Sequence, residues 1–222
     1  MNPLIERLDA ALRAVHPEFL AVHAPGATIQ QIDALEALAG QSLPATLRDL
    51  LTWRNGVGAR DVLATFAGPW NFMSIEAIID SITMLRNLLK HEPRWKERNW
   101  WGYDWIPFLE DNFGDHICVD LGGGGTLEND GKPFTGGIAG QIMQFDHAAE
   151  LRVVAAPSFD TWLTALVQAI EEHVLLPETE TMNWGTYYEL NEPDEPGSPT
   201  LDDVIAKLAP GYPIYLTCPN YP

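Results

Sequence analysis

Residues 105–121 read WIPFLEDNFGDHICVDL, a run that restricts the choice of fold more than any other part of the chain. Ile117, Val119 and Leu121 alternate with His116, Cys118 and Asp120, the period of two that sends successive side chains to opposite faces of a strand. The preceding WIPFL forms a partner strand in which Pro107, lacking an N–H, belongs at an edge or a strand start. The intervening EDNFG is a turn: Asp and Asn side chains bond their own backbone, and Gly114 accepts a dihedral that other residues resist. An antiparallel hairpin follows. Gly140, Ile142 and Phe145 predict a third strand and residues 151–155 a fourth, so the centre of the chain is a small antiparallel meander.

Helices flank it. Asn2 can cap a helix that has Pro3 at its first position and Leu4, Ile5, Leu8, Leu12 and Val15 on one stripe. Thr28 opens a second, over Ile29, Ile32, Leu35 and Leu38, which Gly40 ends. Pro44 opens a third with Leu47, Leu50 and Leu51, and the pair Asn55 and Gly56 closes it, so the first 56 residues read as helical hairpins. Ser74 precedes Ile75, Ile78, Ile82, Leu85 and Leu89 at helical spacing, and Ser158 caps a helix with Phe159, Trp162, Leu163, Leu166 and Ile170 on the face that should cover the sheet. The Gly-rich residues 122–137 make a long flexible loop. Residues 1–173 form the expected domain, and 174–222 an acidic, Pro-rich extension in which Leu201, Val204, Ile205 and Leu208 suggest one short helix. That extension is expected to be dispensable for folding.

Charge narrows the function. Thirteen Lys and Arg stand against 31 Asp and Glu, a formal charge of −18, which repels polyphosphate backbones and anionic headgroups alike. Nucleic acid and membranes are therefore excluded as partners. No apolar run reaches the length of a membrane span, the N-terminus lacks a signal peptide's basic start, and Cys118 and Cys218 make no disulfide framework, so a reduced, cytoplasmic protein is expected. RWKERNWWGYDW interleaves Arg94, Lys96 and Arg98 with Trp95, Trp100, Trp101, Tyr103 and Trp105 in the manner of a single-strand stacking platform, but aromatics packed beneath a loop account for it better.

Chemistry finds little support. Asp111, Asp115 and Asp120 lack the alternate spacing of a calcium loop, and His116 with Cys118 has no second ligand pair for zinc, His147 being the nearest other candidate. GTLENDGKP ends like a phosphate loop but has Thr126 in place of its first Gly and Pro133 in place of the hydroxyl residue. No nucleophile elbow is present. An acid–base pair of Glu110 with Asp115 is one alternative, making the protein a hydrolase. No catalytic residue, metal or cofactor is expected otherwise.

In order along the chain, ALEALAGQSLPATLRDLLTWRNG, WIPFLEDNFGDHICVDL, GQIMQFDH and SFDTWLTAL resemble the SUKH superfamily over residues 28–172. The matching positions include Glu36, Gly40, Pro44, Asn55, Gly56, Pro107, Gly114, Asp115, Asp120, Gly140, Phe145, Ser158 and Phe159, while residues 74–104 and 175–222 depart from the pattern as an insert and an extension. The superfamily includes fungal Smi/Knr cell-wall assembly regulators and bacterial immunity proteins. The resemblance implies an α+β fold, a mostly antiparallel sheet of about four to six strands packed against several helices. It also implies a non-enzymatic binding domain: an immunity protein (antitoxin) neutralising a basic toxin domain such as a nuclease, or alternatively a regulatory scaffold. The expected contacts are Glu110, Asp111 and Asp115 with Glu128 and Asp130 of the following loop, rimmed by Trp100, Trp101 and Tyr103.

Overall fold

The computed structural model describes residues 2–58, 62–92, 94–95, 100–123, 128–129, 132–133, 137–183 and 185–217, with the backbone alone at 128–129 and 132–133. The N-terminal half is mostly helical: α1 (Pro3–Val15), α2 (Pro17–Ala21), α3 (Ile29–Ala39), α4 (Ala45–Trp53) and α5 (Ile75–His91), with short strands β1 (His23–Pro25), β2 (Arg54–Val57), β3 (Val62–Phe66) and β4 (Trp70–Phe72). The sheet follows in β5 (Trp105–Glu110), β6 (His116–Asp120), β7 (Glu128–Asn129), β8 (Lys132–Pro133), β9 (Gln141–Phe145) and β10 (Leu151–Ala156). After α6 (Phe159–Glu171) the chain returns as β11 (Leu176–Met182), β12 (Gly185–Asn191), α7 (Leu201–Leu208) and β13 (Ile214–Thr217). The class is α+β.

Capping explains where the helices begin. Asn2 accepts from the amide of Leu4, Thr28 and Gln31 form a reciprocal capping box, Ser74 and Ser158 accept from the third residue of their helices, and Gly40 ends α3 in the left-handed region at φ 75°. Residues 54–57 depart from the expected helical closure: they form a strand paired with β1, because Asn55 Oδ1 accepts the amide of Ile75 and pins the segment to the start of α5. Gly56, at φ 72°, lies so close to the backbone of Ser74 that a Cβ would come within 2.6 Å of its nitrogen.

The meander β5–β6–β9–β10 is present, each neighbour pair antiparallel. The sheet is larger than four to six strands. Its order is β11-β12-β3-β4-β5-β6-β9-β10-β13-β7-β8, nine strands of three or more residues with a two-residue pair at one end. It is also mixed, since β12 runs parallel to β3. Residues 174–217 thus do not hang off the domain: β12 extends the sheet beyond β3, and β13 pairs with β10 on the other side. The acidic composition concealed this because the buried residues beyond Leu175, namely Leu190, Leu201, Val204, Ile205 and Leu216, are few and scattered.

Pleating divides the interior. Ile106, Phe108, Ile117, Val119 and Ile142 face α1, α4 and α6, where Phe159 and Trp162 are buried as expected, Trp162 stacking edge-on against Phe108 at 5.0 Å. Cys118, Met143, Phe145 and Val154 face the opposite way, into a second core closed by Leu85 and Leu89 of α5 and by Trp100, Trp101 and Trp105. The presumed insert therefore roofs one face of the sheet.

His23 is buried between Phe19 and Phe72, its Nδ1–H donating to the carbonyl of Phe19 at 2.8 Å while Nε2 meets no partner among the described residues. Burial pulls its pKa down to about 4. The folded state holds the neutral ring while an unfolded histidine protonates near 6.5, so this stabilisation is complete above about pH 6.5 and drains away as pH falls toward 4. Urea melts from pH 7 to 4 should show wild type losing stability more steeply than His23→Gln; parallel curves would contradict the assignment.

Candidate functional site

At the tip of the β5–β6 hairpin, Asp111 Oδ1 accepts from the amides of Phe113, Gly114 and Asp115 at 2.8, 3.0 and 2.9 Å. Gly114 takes φ 113° and Asn112 φ 65°, as the turn chemistry required. Asp111 is consequently nearly buried and serves as the internal cap of the turn rather than as a free surface charge. The same geometry turns Phe113 outward, leaving it 81% exposed.

A second loop, between β9 and β10, is bound to this tip. Asp115 Oδ1 accepts from the backbone amide of His147 at 2.9 Å and lies 2.7 Å from His147 Nδ1, while Asp146 Oδ1 accepts from the amides of Ala148 and Ala149. Beneath them is the side chain of Arg152, 0% exposed, its guanidinium donating to the carbonyls of Asp146, Ala149, Leu151 and Trp100 and lying 4.7 Å over the Phe145 ring. Trp100 Nε1 adds a bond to the carbonyl of His147 at 2.9 Å. Two loops far apart in sequence are thereby held as one acidic end of the sheet, which carries Glu110, Asp115, Asp146, exposed Glu150 and Phe113.

The expected contact residues separate. Glu110, Asp111 and Asp115 do lie together at this end. Trp100 and Trp101, 7% and 3% exposed, are second-core residues, packed edge-on against Phe145 at 5.0 and 4.9 Å, and cannot form a rim. Nor do they offer a stacking platform for bases. Tyr103 is 42% exposed, but it precedes β5 at the end opposite the tip, where its carbonyl accepts from Arg86, roughly 20 Å away at 3.3 Å per residue. The backbone of Glu128 pairs with Thr217 at the tip end of the sheet; its side chain, like Asp130, Lys96, Arg98, Thr126 and Cys218, lies outside the described residues. Phe113 was missed because a residue inside EDNFG is read as turn filler; its signal is a large aromatic where turn chemistry needs a polar residue.

The chemistry available here is limited. Asp115, Asp146 and His147 are the one group among the described residues whose ligand-type atoms lie close enough, within 4.8 Å, to share a cation, and each acid already accepts two hydrogen bonds from the protein. His116 and Cys118 do share a strand face, but both are buried in the second core, and burial drives the Cys118 thiol well above its ordinary range, away from the thiolate that ligates or attacks. The Glu110 carboxyl is raised by burial and then by its neighbour Asp111, and it lines a cavity of about 230 Å³ with Asn71, Phe72 and Asn112. Asp120 is a structural acid: its Oδ1 accepts from the amides of Gly122 and Gly123, and its Oδ2 from Gln141. Among the described residues no helix is long and apolar enough to cross a membrane.

Comparison with protein-family models matches residues 26–165 to the SMI1 / KNR4 family (SUKH-1). No curated protein matches the chain.

Proposed function

The chain belongs to the SMI1/KNR4 family (SUKH-1), and from that premise we propose that it is a non-enzymatic binding domain, an immunity protein that occludes a basic toxin domain with the acidic end of its sheet. The observation that carries this reading is Phe113, an aromatic ring 81% exposed at a hairpin tip that hydrogen bonds tie down and that lies at the same end of the sheet as Asp115 and Asp146. Charge and ring act on different steps. A chain of net charge −18 attracts a basic surface over a Debye length and accelerates encounter, on the order of 10⁸ per molar per second at low salt. The ring, presented at no cost in loop ordering, fills a pocket on the partner and slows departure.

A hydrolase centred on Glu110 is the reading that the raised carboxyl and its adjoining cavity favour second. Its nearest acid, Asp111, is committed to the turn, and general acid–base work needs a second group free to move a proton.

An immunity protein is encoded beside its toxin, so the test is the complex formed with the product of the adjoining gene. Phe113→Ala should leave the melt unchanged and raise the dissociation rate by about tenfold or more. A dissociation rate equal to wild type would remove Phe113 from the interface, and turnover that Glu110→Gln abolishes would establish an enzyme instead.

A further inference from the structure

The cavity that Glu110 lines lies at a splay in the sheet. Among the described residues β3 pairs with β4 only at Thr65–Asn71 and Phe66–Trp70, while Val62 and Leu63 pair with β12 and line the cavity together with Ala77 of α5. Asn71 and Glu110 stand directly opposite one another across β4 and β5, so their side chains leave the same face of the sheet, with Cβ atoms roughly 4.5–5.5 Å apart. Asn71, a second lining residue, is only 5% exposed, and its Nδ2 donates to the carbonyls of Pro69 and Glu110 at 3.1 and 3.3 Å. Those two bonds fix which way the amide is turned, and they leave its buried Oδ1 with no donor among the described residues. A buried acceptor without a donor is destabilising and uncommon, and marks a place that a donor from outside the fold completes. The neighbouring Glu110 carboxylate likewise makes no hydrogen bond or ion pair among the described residues.

We infer that this cavity receives the guanidinium of an arginine side chain presented by the partner, as the second anchor of the interface centred on Phe113. The inference rests on the binding reading proposed above and names a residue that the partner must carry. Position links the two anchors: Asn112, which also lines the cavity, is the residue before Phe113 in the hairpin turn. A partner seated on the Phe113 ring is therefore brought to the mouth of the cavity. The planar fork of arginine carries five N–H donors, enough to place a parallel pair on the Glu110 carboxylate and another on Asn71 Oδ1. Lysine offers a compact, strongly hydrated charge that matches neither the pair nor its plane. The arginine stem would lie on Val62, Leu63 and Ala77, apolar surface that gains by excluding water.

The test has two parts, so that this inference and the toxin reading can fail separately. In the first, amide NMR follows the full chain against N-acetyl-argininamide and its citrulline and lysine counterparts at constant ionic strength. The arginine compound should shift the amides of residues 71–74 and 110–112 saturably, and the other two should bind at least about tenfold more weakly. Glu110→Gln, which keeps the shape of the side chain, and Ala77→Leu, which fills the cavity from a helix position, should each weaken the arginine compound about tenfold with the melt unchanged. In the second part, the complex with the product of the adjoining gene should dissociate about tenfold faster for each variant. No saturable shift with the arginine compound, or equal binding of the citrulline or lysine compound, would overturn the inference. So would a complex that Phe113→Ala weakens and that is indifferent to both Glu110→Gln and Ala77→Leu. Arginine-specific binding in a chain that forms no complex with the adjoining product would instead sink the toxin reading and keep the cavity as an arginine receptor.

Discussion

A chain ending at Leu175 should lose its cooperative melt and bind hydrophobic dyes, rather than fold as a trimmed version of the same domain. The extension contributes β12, which pairs in register with β3 from Thr186 to Leu190, and β13, which covers β10 from Leu151 to Val154. Removing it exposes both strand edges to solvent and to other chains. It also strips Leu190, Leu201, Val204, Ile205 and Leu216 from the interior, where each contributes about 1.5–3 kcal/mol by burial. Together they rival the ~5–15 kcal/mol that holds a typical domain folded. The expectation of dispensability drawn from composition is thus reversed. A truncated chain with a sharp melt and native near-ultraviolet circular dichroism would show that the two cores close without it.

Arg152→Met should cost about 3–5 kcal/mol, measured by urea denaturation, despite replacing a charged residue with an apolar one of similar length. The guanidinium is wholly buried and donates to four carbonyls on two separate segments, so the methionine leaves each of them in a dry place without its donor. Arg152→Lys should recover only part of the loss, because one ammonium cannot span the fork that reaches both Asp146 and Trp100. The loop carrying Asp146 and His147 should loosen with it, and the partner should dissociate faster. A loss below about 1 kcal/mol would mean that the carbonyls find other donors.

What could be read before the structure was local. The hairpin at 105–121, the caps at Asn2, Thr28, Ser74 and Ser158, and the burial of Phe159 and Trp162 follow from period, capping chemistry and turn residues acting over a few positions. The strands that were not foreseen lack such signals. β4 has three residues, and β11, LPETETM, is exposed along its whole length, so alternation has nothing to report. The parallel pairing of β12 with β3 joins residues more than 120 positions apart, which no local pattern encodes. At the candidate site Glu110, Asp111 and Asp115 lie at one end of the sheet, while Trp100 and Trp101 went inside because a basic, Trp-rich stretch can roof a sheet as readily as line a surface, and Phe113 came out because Asp111 fixes the turn from within. Arg152 did leave a trace. It shares the strand face of Val154, a position where a charge must find partners.

Charge reversal at Asp111 would unmake the turn, so the electrostatic account is best tested through Glu150, which is exposed at the same end. The decisive measurement is the association rate with the product of the adjoining gene at ionic strengths of about 0.01 M and 0.15 M, between which the screening length falls from about 30 Å to about 8 Å. A basic partner whose association slows by about tenfold or more across that range, with Glu150→Lys slowing it further at low salt while leaving dissociation nearly unchanged, is the predicted result. An acidic partner, or an association rate indifferent to salt, would contradict it.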